Sequence, residues 1–171
     1  MSNRPFLIFG ALVVLVLGMG YLLFVKEGSE EAAAVPVESA DEEAMEMFAT
    51  NCGTCHTLAA AGTDGVVGPN LDEILPTAPP GGSDDPEADV QAYEGVYGRV
   101  LNAVVCGLEG RMPAGILQDE DAQDVSGFVA AYAGQLGPDQ GALVPADERS
   151  TPGPEPCSTG PGNQPEGAAT P

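Results

Sequence analysis

The sequence has no tryptophan, one lysine (Lys26) and one histidine (His56), and only 5% of its residues are aromatic. So little aromatic volume leaves a domain of ordinary size short of material for its centre, and something else is expected to fill it. Basic side chains are scarcer still: 26 acidic residues face five basic ones, a formal net charge of −21 over 171 residues. That excludes a nucleic-acid binder, which needs lysine and arginine to displace counterions from phosphate. It fits a partner with a positive patch, a salty habitat or a need for solubility. Convincing strand patterns and internal repeats are also missing, so the length accommodates one compact helical domain with attachments.

What is present begins with an uncharged run, PFLIFGALVVLVLGMGYLLFV, from Pro5 to Val25. As a helix it would extend roughly 31 Å, about the hydrocarbon thickness of a bilayer. A cleaved signal peptide with Ala32-Ala33-Ala34 as its processing site is the alternative, but its apolar core would be only roughly 7–15 residues long. Residues 1–4 are therefore expected as a cytoplasmic N-terminus, 5–25 as a transmembrane anchor and 26–40 as an acidic linker. As a flexible coil the linker reaches roughly 20 Å root-mean-square and at most about 50 Å.

Residues 41–136 are read as an all-α unit. Helices are expected over Asp41–Cys52, with Ser39 or Asp41 as cap, over Val90–Cys106 before the stop signal Gly107, and over Glu120–Leu136 capped by Asp119. Leu71–Leu75 suits one helical turn, and residues 76–89 and Leu108–Gly115 read as loops. Residues 137–171 form a Pro/Gly-rich tail with too few large apolar side chains to offset the entropy of ordering it. Three useful helices give a thin core, which again asks for something in the middle.

Cys52-Gly53-Thr54-Cys55-His56 is a C-x-x-C-H motif, the attachment signature of c-type haem. Thiols three residues apart lie on one side of a helical turn and can reach two vinyl groups on one porphyrin edge. The next residue, His56, then offers an imidazole nitrogen to the iron. A zinc site would want four ligands, and the remaining Cys106 and Cys157 are distant in sequence. A dithiol redox pair would normally sit in an α/β fold.

With one histidine, a second imidazole on the iron is impossible within the chain. Met1 starts the chain, Met19 lies in the apolar run, and Met45 and Met47 precede the motif on its own helix. Met112, in a glycine-bounded loop between Arg111 and Pro113, remains as the candidate sixth ligand; gap-filling in a core is its alternative role. A thioether opposite an imidazole favours ferrous iron and leaves no open position, which makes an electron carrier rather than an enzyme.

From about Asp41 to Gly134 the chain resembles the single-haem class I cytochromes c. The resemblance rests on C-G-T-C-H at 52–56, Gly68-Pro69-Asn70-Leu71, Arg111-Met112-Pro113-Ala114, Phe48 four residues before Cys52, and Tyr132 on the last helix; Ala44 stands where the family often has glycine. It implies one covalent haem c held by Cys52 and Cys55, with His56 and Met112 on the iron. It also implies that Pro69 offers its carbonyl to His56, that Asn70 or a nearby tyrosine bonds the Met112 sulfur, and that Arg111, Tyr93 or Tyr97 meets a propionate. By the same resemblance the haem domain faces the periplasm or exterior of a cell membrane crossed once. There disulfides persist, and the left-over Cys106 and Cys157 are expected to pair. The implied role is single-electron transfer from a quinol-cytochrome c oxidoreductase to a terminal oxidase. A fixed subunit of a respiratory complex, or a haem enzyme with an open distal site, are the rival roles.

Overall fold

The structure is a computed structural model that describes residues 10, 12–16, 18–19, 35–75, 78–150 and 157. The chain divides into two compact units, Met1–Ala33 and Ala34–Pro171. In the first, the described residues Gly10, 12–16 and 18–19 are helical. No helix among the described residues is long and apolar enough to cross a membrane. The expected span Pro5–Val25 falls mostly outside them, so the anchor rests on sequence alone.

The second unit is built from α1 (Glu42–Asn51), α2 (Leu71–Ile74), α3 (Pro86–Cys106) and α4 (Asp119–Tyr132), with a small hairpin of β1 (Thr57–Leu58) and β2 (Thr63–Asp64). The hairpin has two residues per strand, too short to show as alternation in the sequence. α4 packs on both α3 and α1. Phe48, Phe128 and Tyr132 form the centre of the α1–α4 contact, with ring centroids 6.2 Å and 5.1 Å apart in turn. Ala44 is buried there as well.

Several boundaries differ from expectation. α3 begins at Pro86 rather than Val90, because Asp85 accepts from the Glu87 and Ala88 amides and Pro86 occupies the first helical position, where its missing N–H costs nothing. α4 ends at Tyr132 rather than Leu136, where Ala133 turns extended and Gly134 takes φ 80°. Neither expected cap is made. α4 follows Gln118 without a side-chain bond, and Asp41 gives its carboxylate to other partners.

Those partners are Tyr132 at the end of α4 and Arg149 in the segment after it. Residues 137–150 were expected to lack packing, yet they form a strap over the helices. Leu143 N–H donates to the Ala131 carbonyl, Val144 is buried, and the Arg149 guanidinium makes a two-pronged bond to Asp41 at 2.6 Å and 2.9 Å. Arg149 also donates to the Val144 carbonyl and lies about 6 Å above the Tyr93 and Tyr132 rings. Tyr132 donates to Asp41 at 3.1 Å and accepts from the Glu38 amide at 2.9 Å. Glu38 in turn accepts from Ala146 N–H, and Val35 is buried, so the end of the expected linker is part of the fold. The Cys106 and Cys157 sulfurs lie 2.04 Å apart, a disulfide.

Composition hid this strap. Its few apolar residues could not order it alone, but a buried arginine with five donors needs a fixed set of acceptors. Burial works against the Arg149 charge, and the bonds and charge of Asp41 outweigh it, holding the guanidinium above its ordinary value. Removing one partner would leave the other buried and unpaired. Asp41→Ala is therefore expected to cost about 3–5 kcal/mol in chemical denaturation, while Glu109→Ala, on the exposed surface, should change little.

The same junction sets an alkaline limit. Burial pushes Tyr132 up to about 12, and burial likewise raises Tyr93 to about 12 from the ordinary 10.0. Because the folded state holds these protons more tightly, stability from this source is intact below pH 10 and falls as pH rises towards 12. Tyrosinate absorbance should then appear together with unfolding in that window, not ahead of it.

Candidate functional site

α1 runs directly into the cysteine motif. Both Cys52 N–H and Gly53 N–H donate to the Phe48 carbonyl, and Cys55 and His56 N–H donate to the Cys52 carbonyl at 3.0 Å and 2.9 Å. These bonds wrap residues 52–56 into a tight turn. Gly53 has its Cα against α1 and the hairpin, since a Cβ there would lie 2.5 Å from the Thr63 methyl and 2.6 Å from the Ala49 carbonyl oxygen. Cys52 is buried and Cys55 exposed, and the two are not bonded to each other.

The loop after the motif folds back to hold His56. Thr63 Oγ1 donates to the His56 carbonyl at 3.0 Å and accepts from Leu58 N–H, and Thr57 Oγ1 donates to the Gly65 carbonyl. Gly68 N–H donates to the Cys55 carbonyl at 2.8 Å. His56 Nδ1 lies 3.0 Å from the Pro69 carbonyl oxygen. A carbonyl only accepts, so Nδ1 carries the proton and Nε2 is left with a free lone pair. Gly68 sits against the imidazole: a Cβ would stand 2.5 Å from Cε1 and 2.7 Å from Nδ1.

Asn70 closes the loop by accepting from Asp72 N–H as the cap of α2. Asp72, buried, then accepts from Ala59 N–H at 2.8 Å and Gly134 N–H at 3.0 Å, tying the motif's loop to the end of α4. Sequence reading assigned Asp72 nothing. As an acid in the first turn of a short helix it had only an ordinary signal.

Met112 stands on a separate loop hung from the end of α3. It exchanges backbone hydrogen bonds with Leu108 in both directions, and Gly115 N–H donates to the Val105 carbonyl. Gly107, at φ 71°, lies where a Cβ would meet the Ala114 nitrogen at 2.6 Å and the Met112 carbonyl oxygen at 2.8 Å. The Met112 side chain is half-buried against the core. A groove of about 350 Å³ beside this loop, lined by Val105, Ala114, Gly115, Gln118 and Asp119, includes none of Cys52, Cys55, His56 and Met112.

The chemistry of the donors discriminates among the readings. Among the described residues no group of three or more His, Cys, Asp or Glu converges as a metal site, so the zinc reading lacks ligands. Burial, then the charge of Cys55, pushes the Cys52 thiol up to about 11, as suits a thiol held inside a packed turn. A turn carrying two thiols, with an adjacent imidazole locked in the tautomer that ligates through Nε2, fits covalent haem.

The cytochrome c family model matches residues 42–132. The chain belongs to the cytochrome c family. No curated protein matches it. A cytochrome c binds haem c covalently and transfers electrons, and in this one Cys52, Cys55 and His56 are the residues with the required spacing.

The structure also places the other residues singled out in the sequence. Tyr93 and Tyr97 are fully buried and stacked at 6.0 Å, and their hydroxyls find no partner among the described residues. Tyr93 OH points at α4, where a Cβ on Gly127 would approach within 3.2 Å, and Arg149 covers its ring. Tyr93 therefore belongs to the helix junction under the strap. Burial, then the charge of Asp124 on α4, raises Tyr97. Arg111 is exposed.

Gly68→Ala tests the cradle. The added methyl must displace the imidazole or the loop, so stability is expected to fall by about 1–3 kcal/mol. In the haem-loaded protein the visible spectrum should change as the His56–Pro69 bond is lost, whereas Gly62→Asn, at an exposed φ of 62° with open space around it, should leave the spectrum unchanged.

Proposed function

We propose that this cytochrome c is a single-haem carrier of the class I type, with His56 Nε2 and the Met112 sulfur as the two axial ligands. The observation that carries the reading is the Pro69–His56 hydrogen bond beside the paired thiols: it fixes ring orientation and leaves one nitrogen free to ligate. The bound group supplies a reversible one-electron iron couple. The chain's own residues set its conditions. Pro69 raises the basicity of the imidazole by accepting a hydrogen bond from its Nδ1–H, Thr63 holds the His56 backbone carbonyl, and Gly68 packs against the ring. The Leu108–Met112 bridge presents a soft thioether on a loop fixed to α3.

With His56 and Met112 both holding the iron there would be no place for a substrate, which supports a carrier over a catalyst. The apolar run at Pro5–Val25 supports tethering to a cell membrane, with the haem domain on the periplasmic or outer side. A tether restricts the domain to a shallow layer and raises its effective concentration near membrane partners. A quinol-cytochrome c oxidoreductase as donor and a terminal oxidase as acceptor suit that placement.

Optical spectra of the holoprotein test the ligand set. The ferric form should show the weak long-wavelength band of sulfur-bound iron, and the ferrous form should not bind carbon monoxide rapidly at neutral pH. Met112→Ala should abolish the band, admit carbon monoxide and lower the reduction potential. Rapid carbon monoxide binding by the wild type would instead establish an open distal site.

A further inference from the structure

Asp72 is only 8% exposed and has no base beside it: among the described residues the one ion pair is Arg149–Asp41. Its carboxylate oxygens accept instead from two backbone amides, Oδ2 from Ala59 N–H at 2.8 Å and Oδ1 from Gly134 N–H at 3.0 Å. The short helix α2 does not need this side chain to start, because Asn70 already caps it. A buried acceptor serving two donors from distant elements costs more to lose than an exposed acid of a first helical turn.

The position of Ala59 gives the carboxylate its meaning. Ala59 stands three residues after His56, and Asp72 three residues after Pro69. The Nδ1–Pro69 bond and the Ala59–Asp72 bond therefore close one circuit, at opposite ends of two short arms. Each arm is stiffened on its own. Thr57 and Leu58 pair with Asp64 and Thr63 in the hairpin, and Asn70 Oδ1 accepts from Asp72 N–H. Leu58 and Leu71, each just before a residue of the clamp, are buried, and α2 packs on β1. Hydrogen bonds to a carboxylate shielded in this way are stronger than in water. With stiff arms, a change at the Ala59–Asp72 end alters how Pro69 meets the imidazole at the other.

We propose that Asp72 is a positioning residue for the redox centre: by clamping Ala59 it keeps the Pro69 carbonyl on His56 Nδ1 and so holds down the reduction potential of iron bound at Nε2. The inference rests on the reading of His56 as an iron ligand and adds the residue that sets how strongly it donates. A well-made bond from Nδ1–H makes the imidazole a better donor, which favours ferric iron. Asparagine could not replace the carboxylate, because an amide has one acceptor oxygen for two N–H donors.

Asp72→Asn in the haem-loaded protein tests this, since either Ala59 or Gly134 loses its bond while the side chain keeps its shape. At a fixed solution potential the ferrous-to-ferric ratio of the variant should be at least about threefold above wild type. The His56 Nδ1–H, followed by NMR in the ferrous form, should exchange with deuterium up to about tenfold faster. Gln135→Ala is the control. Gln135 is buried next to Gly134 and accepts from Gly81 N–H, so its loss should lower the melting temperature yet leave ratio and exchange unchanged. An unchanged ratio in Asp72→Asn, or an equal change in Gln135→Ala, would overturn the proposal. So would a changed ratio with unchanged exchange, which would mean that the lost carboxylate charge acts alone. If Asp72→Asn does not yield folded protein, the wild type decides: His56 Nδ1–H and Ala59 N–H should lose protection together as denaturant is added, and separate openings would overturn the proposal. A wild type without a reversible one-electron wave would sink the carrier reading, and this inference with it, whereas a reversible wild type with an unresponsive Asp72→Asn sinks this inference alone.

Discussion

The Pro69 carbonyl oxygen can accept a hydrogen bond but not donate one, and the character of His56 follows from that. A neutral imidazole has one proton to place; with Nδ1 committed to Pro69, Nε2 becomes the ligating atom. The rest of the loop serves this bond. Gly68 removes the side chain that would wedge ring from backbone, Thr63 clamps the His56 carbonyl, and Asn70 starts the short helix that follows. Through Asp72 the same loop is fastened to the end of α4, so the imidazole is referenced to the most deeply buried helix of the unit.

A second centre of order lies at the start of α1. Asp41 gathers Arg149 and Tyr132, and Tyr132 gathers Glu38. The residues before α1, the C-terminal part of α4 and the strap after it all meet there. α1 is held at its start by this network and at its end by the bonds from residues 52 and 53 to Phe48. A helix fixed at both ends gives the cysteine turn a stationary base, which a group attached through two thiols requires.

Features set by local chemistry were legible in the sequence. The C-x-x-C-H spacing, the apolar faces of α1, α3 and α4, and Gly107 as a stop are all contained in a few consecutive residues. Gly68-Pro69 could be assigned its part only through a family resemblance, because nothing in two residues says which ring they will meet. What escaped was decided at long range. Arg149 and Asp41 are 108 positions apart, and neither residue announces the other. Asp41 looks like an ordinary cap until a guanidinium claims it. The 137–150 strap reads as disordered because its order comes from acceptors on other elements. Pro86 was misjudged for a local reason: a proline among prolines, glycines and aspartates reads as loop, although after Asp85 it is also a good first residue for a helix.

The disulfide between Cys106 and Cys157 has a consequence for the topology of the chain. It closes a covalent ring that contains the Met112 loop, the whole of α4 and the strap. One scission of the backbone anywhere inside that ring yields no separate fragment: both new ends stay attached to the parent molecule. A protease cutting within residues 107–156 would have to cut twice, or wait for a reductant, before any piece of the ring could drift away.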